Sequence, residues 1–197
     1  MPTSKNNSKE LPIRLFKNQN MWETWLAKNF DTSAGLWLRL SKKSSKLKCI
    51  SYQEALDIAL CYGWIDGQKK KFDENTWIQR FTVRSSNSIW SKINRSKALD
   101  LIEQGRMRSA GLYAIEIAKK NGRWDAAYDS HRTAEPPEDL LNAFTKHPAA
   151  KEFFETLNSQ NKYAILFRIQ TVQSPSAREK RIAKFISMLE KHEKLHP

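Results

Sequence analysis

The chain has 197 residues, of which 40% are hydrophobic and 28% are charged, as is typical of a globular protein with a sizeable core. No stretch holds the roughly 18 consecutive apolar residues that a membrane-spanning helix requires, and the first ten residues are too polar for a secretory signal, so we expect a cytoplasmic protein. The formal net charge of +13 fits either a partner such as nucleic acid or a lysine-rich exterior.

The first half of the chain alternates between strand and helix patterns. Residues 11–16 and Leu36–Leu40 alternate apolar and polar side chains, which predicts strands, the first at a sheet edge. Between them, Asn20 is expected to cap a helix whose apolar residues recur at i, i+3 and i+4. Ser51 begins a second helix, because Glu54 three residues later completes a capping box.

The pattern becomes helical after one further pair of strands. Gly63 is expected to end the second helix at positive φ. Residues 64–83 then resemble short strands joined by a polar turn at Asp73–Asn75. Beyond them the spacing predicts helices over Ser91–Gln104 and Ser109–Asn121, one opened by Pro136 and Pro137, one around Phe153, one over Asn161–Val172, and one starting at Ser174.

These elements predict an α+β fold, in which a small antiparallel or mixed sheet in the N-terminal half is packed by helices. We assign residues 1–10 to a disordered tail, residues 11–130 to an α+β core domain and residues 136–197 to an all-helical region. That region would be packed on the core or linked to it through the stretch near Asp129–Glu135.

The candidate ligand site is built around the turn that follows the second helix. Asp66 can pair with a cation or act as a general base, and Arg84 can clamp an anion. Trp64 and Trp90 can stack on a ligand, and Asn94 lies on the helix after Trp90. Each residue also has an ordinary structural explanation: core packing for the tryptophans, a turn or ion pair for Asp66 and Arg84, and a capping or inter-loop hydrogen bond for Asn94.

A second candidate surface is a basic stripe on the last predicted helix. It consists of Arg178, Lys180, Arg181 and Lys184, and it fits either nucleic acid or a solvated helix face. We expect no metal site, because Cys49 and Cys61 form no CxxC pair, and because His192 and His196, although four residues apart, have no obvious third ligand.

Motifs over most of the chain resemble the YdeI/OmpD-associated family, also called the bacteriocin-protection family. Together they are specific, although each alone is weak. They are W-x-x-W-L at Trp22–Leu26, G-L-W-L at Gly35–Leu38, S-Y-Q-E-A-L at Ser51–Leu56, L-C-Y-G-W-I-D-G at Leu60–Gly67, R-F-T-V-R at Arg80–Arg84, S-x-W-S-K-I-N at Ser88–Asn94, G-R-M-x-x-A-G at Gly105–Gly111, G-R-W-x-x-A-Y at Gly122–Tyr128 and A-R-E-K-R-I at Ala177–Ile182.

The resemblance implies a bacterial α+β protein linked to bacteriocin or stress protection, and it implies no established catalytic residues and no cofactor. Because no catalytic motif is legible either, we favour a non-catalytic protein that binds a small ligand or a protein partner. Two alternatives stay open. One is a nucleic-acid-binding module, and the other is an enzyme that acts on a small anionic substrate through Asp66 and Arg84. A tryptophan-rich surface patch would favour a homodimer.

Overall fold

The computed structural model describes residues 10–197 and, within that range, contains a four-stranded mixed sheet and eight helices. The predicted α+β class is therefore confirmed. The described residues form two compact units, one of residues 10–86 and 97–118 and the other of residues 87–96 and 119–197. Except for Glu10, the predicted tail lies outside the described residues, and the predicted domain boundaries stay a prediction.

The first unit carries the whole sheet and two helices that lie between its strands in the chain. The strands are ordered β1-β2-β4-β3, with β1 parallel to β2 and the other pairs antiparallel. The strand predicted within residues 11–16 therefore lies at the sheet edge, although it is only two residues long. The elements are β1 (Ile13–Arg14), α1 (Gln19–Asn29), β2 (Leu36–Ser41), α2 (Tyr52–Cys61), β3 (Trp64–Lys71) and β4 (Thr76–Val83).

The two helices of this unit begin at side-chain caps. In α2 the predicted capping box is present: Glu54 N–H donates to the Ser51 hydroxyl and Ser51 N–H donates to the Glu54 carboxylate. Hydrogen bonds that the Glu54 carboxylate accepts lower its pKa, the backbone N–H of Ser51 having the largest effect and the Ser51 hydroxyl the next. The predicted cap of α1 was wrong. Asn18, not Asn20, is extended and accepts the Met21 N–H at 3.0 Å, because the helix begins two residues earlier than its apolar spacing indicated.

An aromatic cluster forms the core between the sheet and these helices. Trp22 and Trp25 of α1 stack with ring centroids 5.5 Å apart, and both meet Trp64 of β3 edge to face. Phe81 of β4 packs against Trp22 at 5.8 Å. Buried indole N–H groups need acceptors, and here Trp22 donates to the Ala55 carbonyl and Trp64 to the Phe30 carbonyl. The cluster thus joins α1, α2 and the sheet.

A register shift in β3 decides which of its residues face α2. The pairing of β3 with β4 shifts between Asp66 and Lys69, and an extra residue in one strand moves the following side chains to the other face. Lys69 pairs with Gln79 and Lys71 with Trp77. These two lysines therefore lie on the same face as Asp66, whereas unbroken alternation would have placed Gln68 and Lys70 there.

The second unit is helical. Two helices, α3 (Lys92–Glu103) and α4 (Ser109–Lys120), contain residues of both units. The helix predicted over Asn161–Val172 begins earlier, at Ser159, with Asn158 as its N-cap. The remaining helices are α5 (Glu138–Lys146), α6 (Pro148–Thr156), α7 (Ser159–Gln170) and α8 (Pro175–Glu190). They bury a core that includes Leu140, Phe144, Ile165, Ile169, Phe185 and Leu189. Over residues 10–197, no helix is both long and apolar enough to cross a bilayer.

Candidate functional site

The structure places Trp64 in the core of the first unit. Its side chain has no exposed surface, it meets Trp22 and Trp25 edge to face, and its indole N–H donates to the Phe30 carbonyl at 2.9 Å. Because its ring is surrounded and its N–H is bonded, Trp64 has no surface left to contact a ligand, and its role is to stabilise the fold.

Asp66 lies two residues further along β3, where it is half-buried. Its carboxylate accepts a hydrogen bond from the Tyr52 hydroxyl at 2.8 Å and a longer one from the Gln79 amide. These bonds connect β3 to the start of α2 and to β4. Asp66 is not among the residues that line the cavity beside Arg84, so the two charges expected to act together do not share that cavity.

Arg84 lines a cavity of about 400 Å³ in the first unit. The residue is 8% exposed, and its backbone N–H donates to the Gly63 carbonyl at 2.9 Å, which ties the end of β4 to the turn after α2. The cavity has mostly apolar walls, and its lining also includes Tyr62, Tyr113, two serines and one exposed acid, Asp31. We call this the Arg84 cavity; its lining comprises Phe30, Asp31, Tyr62, Gly63, Val83, Arg84, Ser85, Ser86, Ala110, Tyr113, Ala114 and Ile117.

Trp90 and Asn94, the other two predicted ligand residues, belong to the second unit. Trp90 is buried and packs edge to face on Trp124, with ring centroids 4.9 Å apart. The backbone N–H of Asn94 donates to the Ser91 hydroxyl, a capping contact at the start of α3. These contacts fit the structural explanation for both residues.

The cysteines lack the setting of a catalytic thiol. Cys61 is a buried free thiol on α2, and burial raises its pKa, so it stays protonated at neutral pH. Cys49 is a half-exposed free thiol whose sulfur accepts the Ser41 N–H. Among the described residues, no group of three metal-ligating side chains comes together.

Sequence reasoning missed a second cavity of the first unit, which we call the lysine groove. It has a volume of about 880 Å³, and its lining includes four lysines and two aromatic residues. None of the described residues that line it is acidic. Lys42 and Lys43 follow β2 in a lysine-rich stretch, whose charge by itself fits a solvated exterior. The sequence alone did not reveal the groove, because Lys69 and Lys71 of β3 line it only as a result of the register shift. The lining is Leu40, Ser41, Lys42, Lys43, Ser45, Cys49, Ile50, Ser51, Tyr52, Lys69, Lys71 and Trp77.

The basic stripe on α8 divides into two parts. Lys180, Arg181 and Lys184 line a cavity of about 440 Å³ together with Arg168 of α7. Arg178 instead forms a two-pronged ion pair with Asp139 and donates to the Ile169 carbonyl at 2.8 Å. The bond from Arg178 lowers the pKa of Asp139. Arg178 thus joins α8 to α5 and to the end of α7, apart from the other three cations.

Two family models match the chain. Residues 14–114 match a family described as a domain of unknown function (DUF8412). Residues 133–192 match the family described as Bacteriocin-protection, YdeI or OmpD-Associated. The first match covers more than half of the chain, so the chain belongs to the DUF8412 family, and residues 133–192 are similar to the YdeI/OmpD-associated family. No curated protein and no solved structure matches it.

The two matches divide the motifs that first suggested the YdeI/OmpD-associated family. Only Ala177–Ile182, on α8, falls within residues 133–192. The motifs from Trp22–Leu26 to Gly105–Gly111 lie within the DUF8412 match instead. The YdeI/OmpD-associated region is therefore the helical part that holds α5 to α8, and the Arg84 cavity and the lysine groove lie outside it.

Proposed function

We propose that the protein is a non-catalytic binding protein of bacteriocin or stress protection, and that it binds a small carboxylate with an apolar body in the Arg84 cavity. One observation carries the proposal: the largely buried Arg84 lines a mostly apolar cavity of about 400 Å³. The description of the YdeI/OmpD-associated family supports the protection role. A cytoplasmic location and a homodimer, both expected from the sequence, belong to the same proposal.

The chemistry of the lining selects the class of ligand. A guanidinium presents a planar fork of N–H donors that matches a carboxylate, and such charge-assisted bonds strengthen away from water. The rings of Phe30 and Tyr113 and the side chain of Ile117 offer an apolar surface beside it. Asp31 at the same cavity adds a negative charge, which disfavours a ligand with several charges.

The test compares an apolar carboxylate with its uncharged amide. We expect 4-phenylbutyrate to raise the melting temperature of the wild-type protein and 4-phenylbutanamide to have little effect. Arg84→Met should weaken binding by roughly tenfold or more, because a hydrogen bond to a charged group contributes about 1.5–3 kcal/mol. Thermal shift and isothermal titration calorimetry measure both effects.

Two further variants serve as controls. Arg80→Met removes the same charge from β4 outside the Arg84 cavity and should bind like the wild type. Ala114→Leu fills the cavity without changing its charge and should abolish binding even if Arg84→Met folds poorly. The proposal fails if the wild type binds the acid no better than the amide, or if Ala114→Leu binds as the wild type does.

A second candidate function is binding of single-stranded nucleic acid at α8. The observation that favours it is the convergence of Lys180, Arg181, Lys184 and Arg168 on one concave surface. We expect affinity for single-stranded RNA to fall steeply between about 50 and 200 mM salt. A Lys180→Gln/Lys184→Gln double variant should bind more weakly and lower the salt slope by about 2.

The matched control for this surface is Lys151→Gln. Lys151 lies on α6 of the same unit, where it faces Glu155 at 3.9 Å, and it does not line the α8 cavity. A filter-binding or fluorescence-anisotropy titration measures the affinities. Equal losses in Lys151→Gln and in the double variant would show a general charge effect and remove α8 as the binding surface.

A further inference from the structure

The lysine groove concentrates positive charge that its surroundings do not cancel. Lys42 donates its ammonium to the backbone carbonyls of Asp73 and Glu74, which are uncharged. The Asp73 carboxylate forms an ion pair with Arg39 instead, with 2.7 Å between Oδ2 and Nη2. Lys71 pairs with Glu74, but both side chains are more than two-thirds exposed, and exposed pairs contribute little and are readily exchanged.

Aromatic surface lies beside these ammonium groups. The Lys69 ammonium is 4.3 Å from the centroid of the Trp77 ring, a cation–π contact that holds the charge without neutralising it. Tyr52 packs near Trp77 with ring centroids 5.9 Å apart. Both rings line the same cavity as Lys42, Lys43, Lys69 and Lys71. The groove therefore combines an anion-binding side with a flat apolar side.

The scaffold fixes this combination from two segments that are distant in sequence. The register shift in β3 turns Lys69 and Lys71 toward the face that carries Trp77. The loop after β2 brings Lys42 and Lys43 to the same cavity, and Lys42 N–H donates to the Asn75 carbonyl at the turn before β4. Four lysines thus line one cavity of about 880 Å³.

We propose that the lysine groove binds a compact oligophosphate that carries a ring, the chemistry of a nucleoside triphosphate. Lysine ammonium groups bind phosphates as point charges, and four of them around one cavity match several negative charges held close together. Trp77 and Tyr52 supply aromatic surface for the ring. The site shares no lining residue with the Arg84 cavity. A test of oligophosphate binding at the groove is therefore independent of the proposed carboxylate site.

The test measures binding of ATP, inorganic triphosphate and a 5′-hydroxyl single-stranded oligonucleotide to the full chain by isothermal titration calorimetry. We expect ATP to bind most tightly and triphosphate more weakly, because triphosphate lacks the ring. The oligonucleotide should bind the groove most weakly, because its charges are spread along a chain. A Lys69→Gln/Lys71→Gln double variant should lose roughly tenfold or more in ATP affinity, because two of the four charges are removed.

The adjacent residue on the same strand provides a matched control. Lys70 points to the other face of the sheet, where its ammonium lies 4.7 Å from the Trp37 ring centroid, and it does not line the groove. Lys70→Gln should therefore keep the affinity for ATP within about twofold, since at that distance only screened long-range charge is lost. Equal weakening by Lys70→Gln and by the double variant would overturn the proposal.

Cys49 offers a second readout that localises the ligand. It lines the groove and is half-exposed, whereas Cys61 is buried with a raised thiol pKa, so an alkylating reagent should modify Cys49 first. We expect ATP to slow alkylation of Cys49 in the wild type and not in the double variant. No ATP binding by the wild type, unchanged alkylation at saturating ATP, or protection by the oligonucleotide equal to that by ATP would each overturn the assignment.

Discussion

Trp64→Ala is expected to lower the free energy of unfolding by about 3–5 kcal/mol, the cost of removing a large buried aromatic side chain. Trp64 has no exposed surface and meets Trp22 and Trp25 edge to face. The change also leaves the Phe30 carbonyl without the indole N–H that reaches it at 2.9 Å. Urea denaturation followed by circular dichroism measures the loss, and hydrogen exchange in β3 and β4 localises it.

Two further variants separate the parts of this effect. Trp64→Phe keeps a ring in the cluster and removes the hydrogen bond, so it should cost about 1–3 kcal/mol. Trp77→Ala removes a half-buried indole from the lysine groove and should cost less than Trp64→Ala, because less apolar area returns to water. If Trp64→Ala were no more destabilising than Trp77→Ala, the position of Trp64 at the centre of the core would be wrong.

Gly63→Ala is expected to destabilise the first unit by about 2–5 kcal/mol, because the added Cβ is disfavoured both by the backbone conformation and by a close contact. Gly63 follows α2 with φ of +70°, where a side chain costs roughly 1–2 kcal/mol. An added Cβ would also lie 2.7 Å from the Ala110 carbonyl oxygen, and overpacking typically costs a further 1–3 kcal/mol. Denaturant titration compares the variant with the wild type.

Gly105→Ala is the matched control, because it isolates the backbone cost. Gly105 has a similar φ of +65°, but an added Cβ would meet nothing within 4 Å. We expect a loss of about 1 kcal/mol there, so the excess at Gly63 measures the close approach of α4. Equal losses at the two glycines would mean that α2 and α4 do not pack as described. Because the Gly63 carbonyl accepts the Arg84 N–H, Gly63→Ala should also disturb the Arg84 cavity.

The features that the sequence predicted well depend on nearby residues. The α2 capping box needs only Ser51 and Glu54, and the end of α2 needs only Gly63 at positive φ. The strands of residues 64–83 and their turn follow from alternation and from Asp73–Asn75. Local backbone preferences and hydrogen bonds decide such features, so a short window contains the information.

The candidate site was harder to predict, because its residues had to be brought together from different elements. Trp64, Asp66 and Arg84 are close in sequence, yet Trp64 lies in the core, Asp66 bonds to Tyr52 and Arg84 lines another cavity. Whether an indole packs in the core or faces a ligand depends on which helix covers it. The covering helix α1 lies more than 30 residues earlier in the chain.

By itself, the sequence determined the α+β class, the similarity to the YdeI/OmpD-associated family, the basic charge and the ends of α2, since composition, motifs and short-range hydrogen bonds are legible along the chain. Only the tertiary structure decided which charges converge. The register shift in β3 brings Lys69 and Lys71 to Lys42 and Lys43, and it leaves Lys70 on the opposite face. A shift of one residue exchanges the two faces of a strand, and cross-strand pairing, which no local pattern in the run of lysines records, sets that shift.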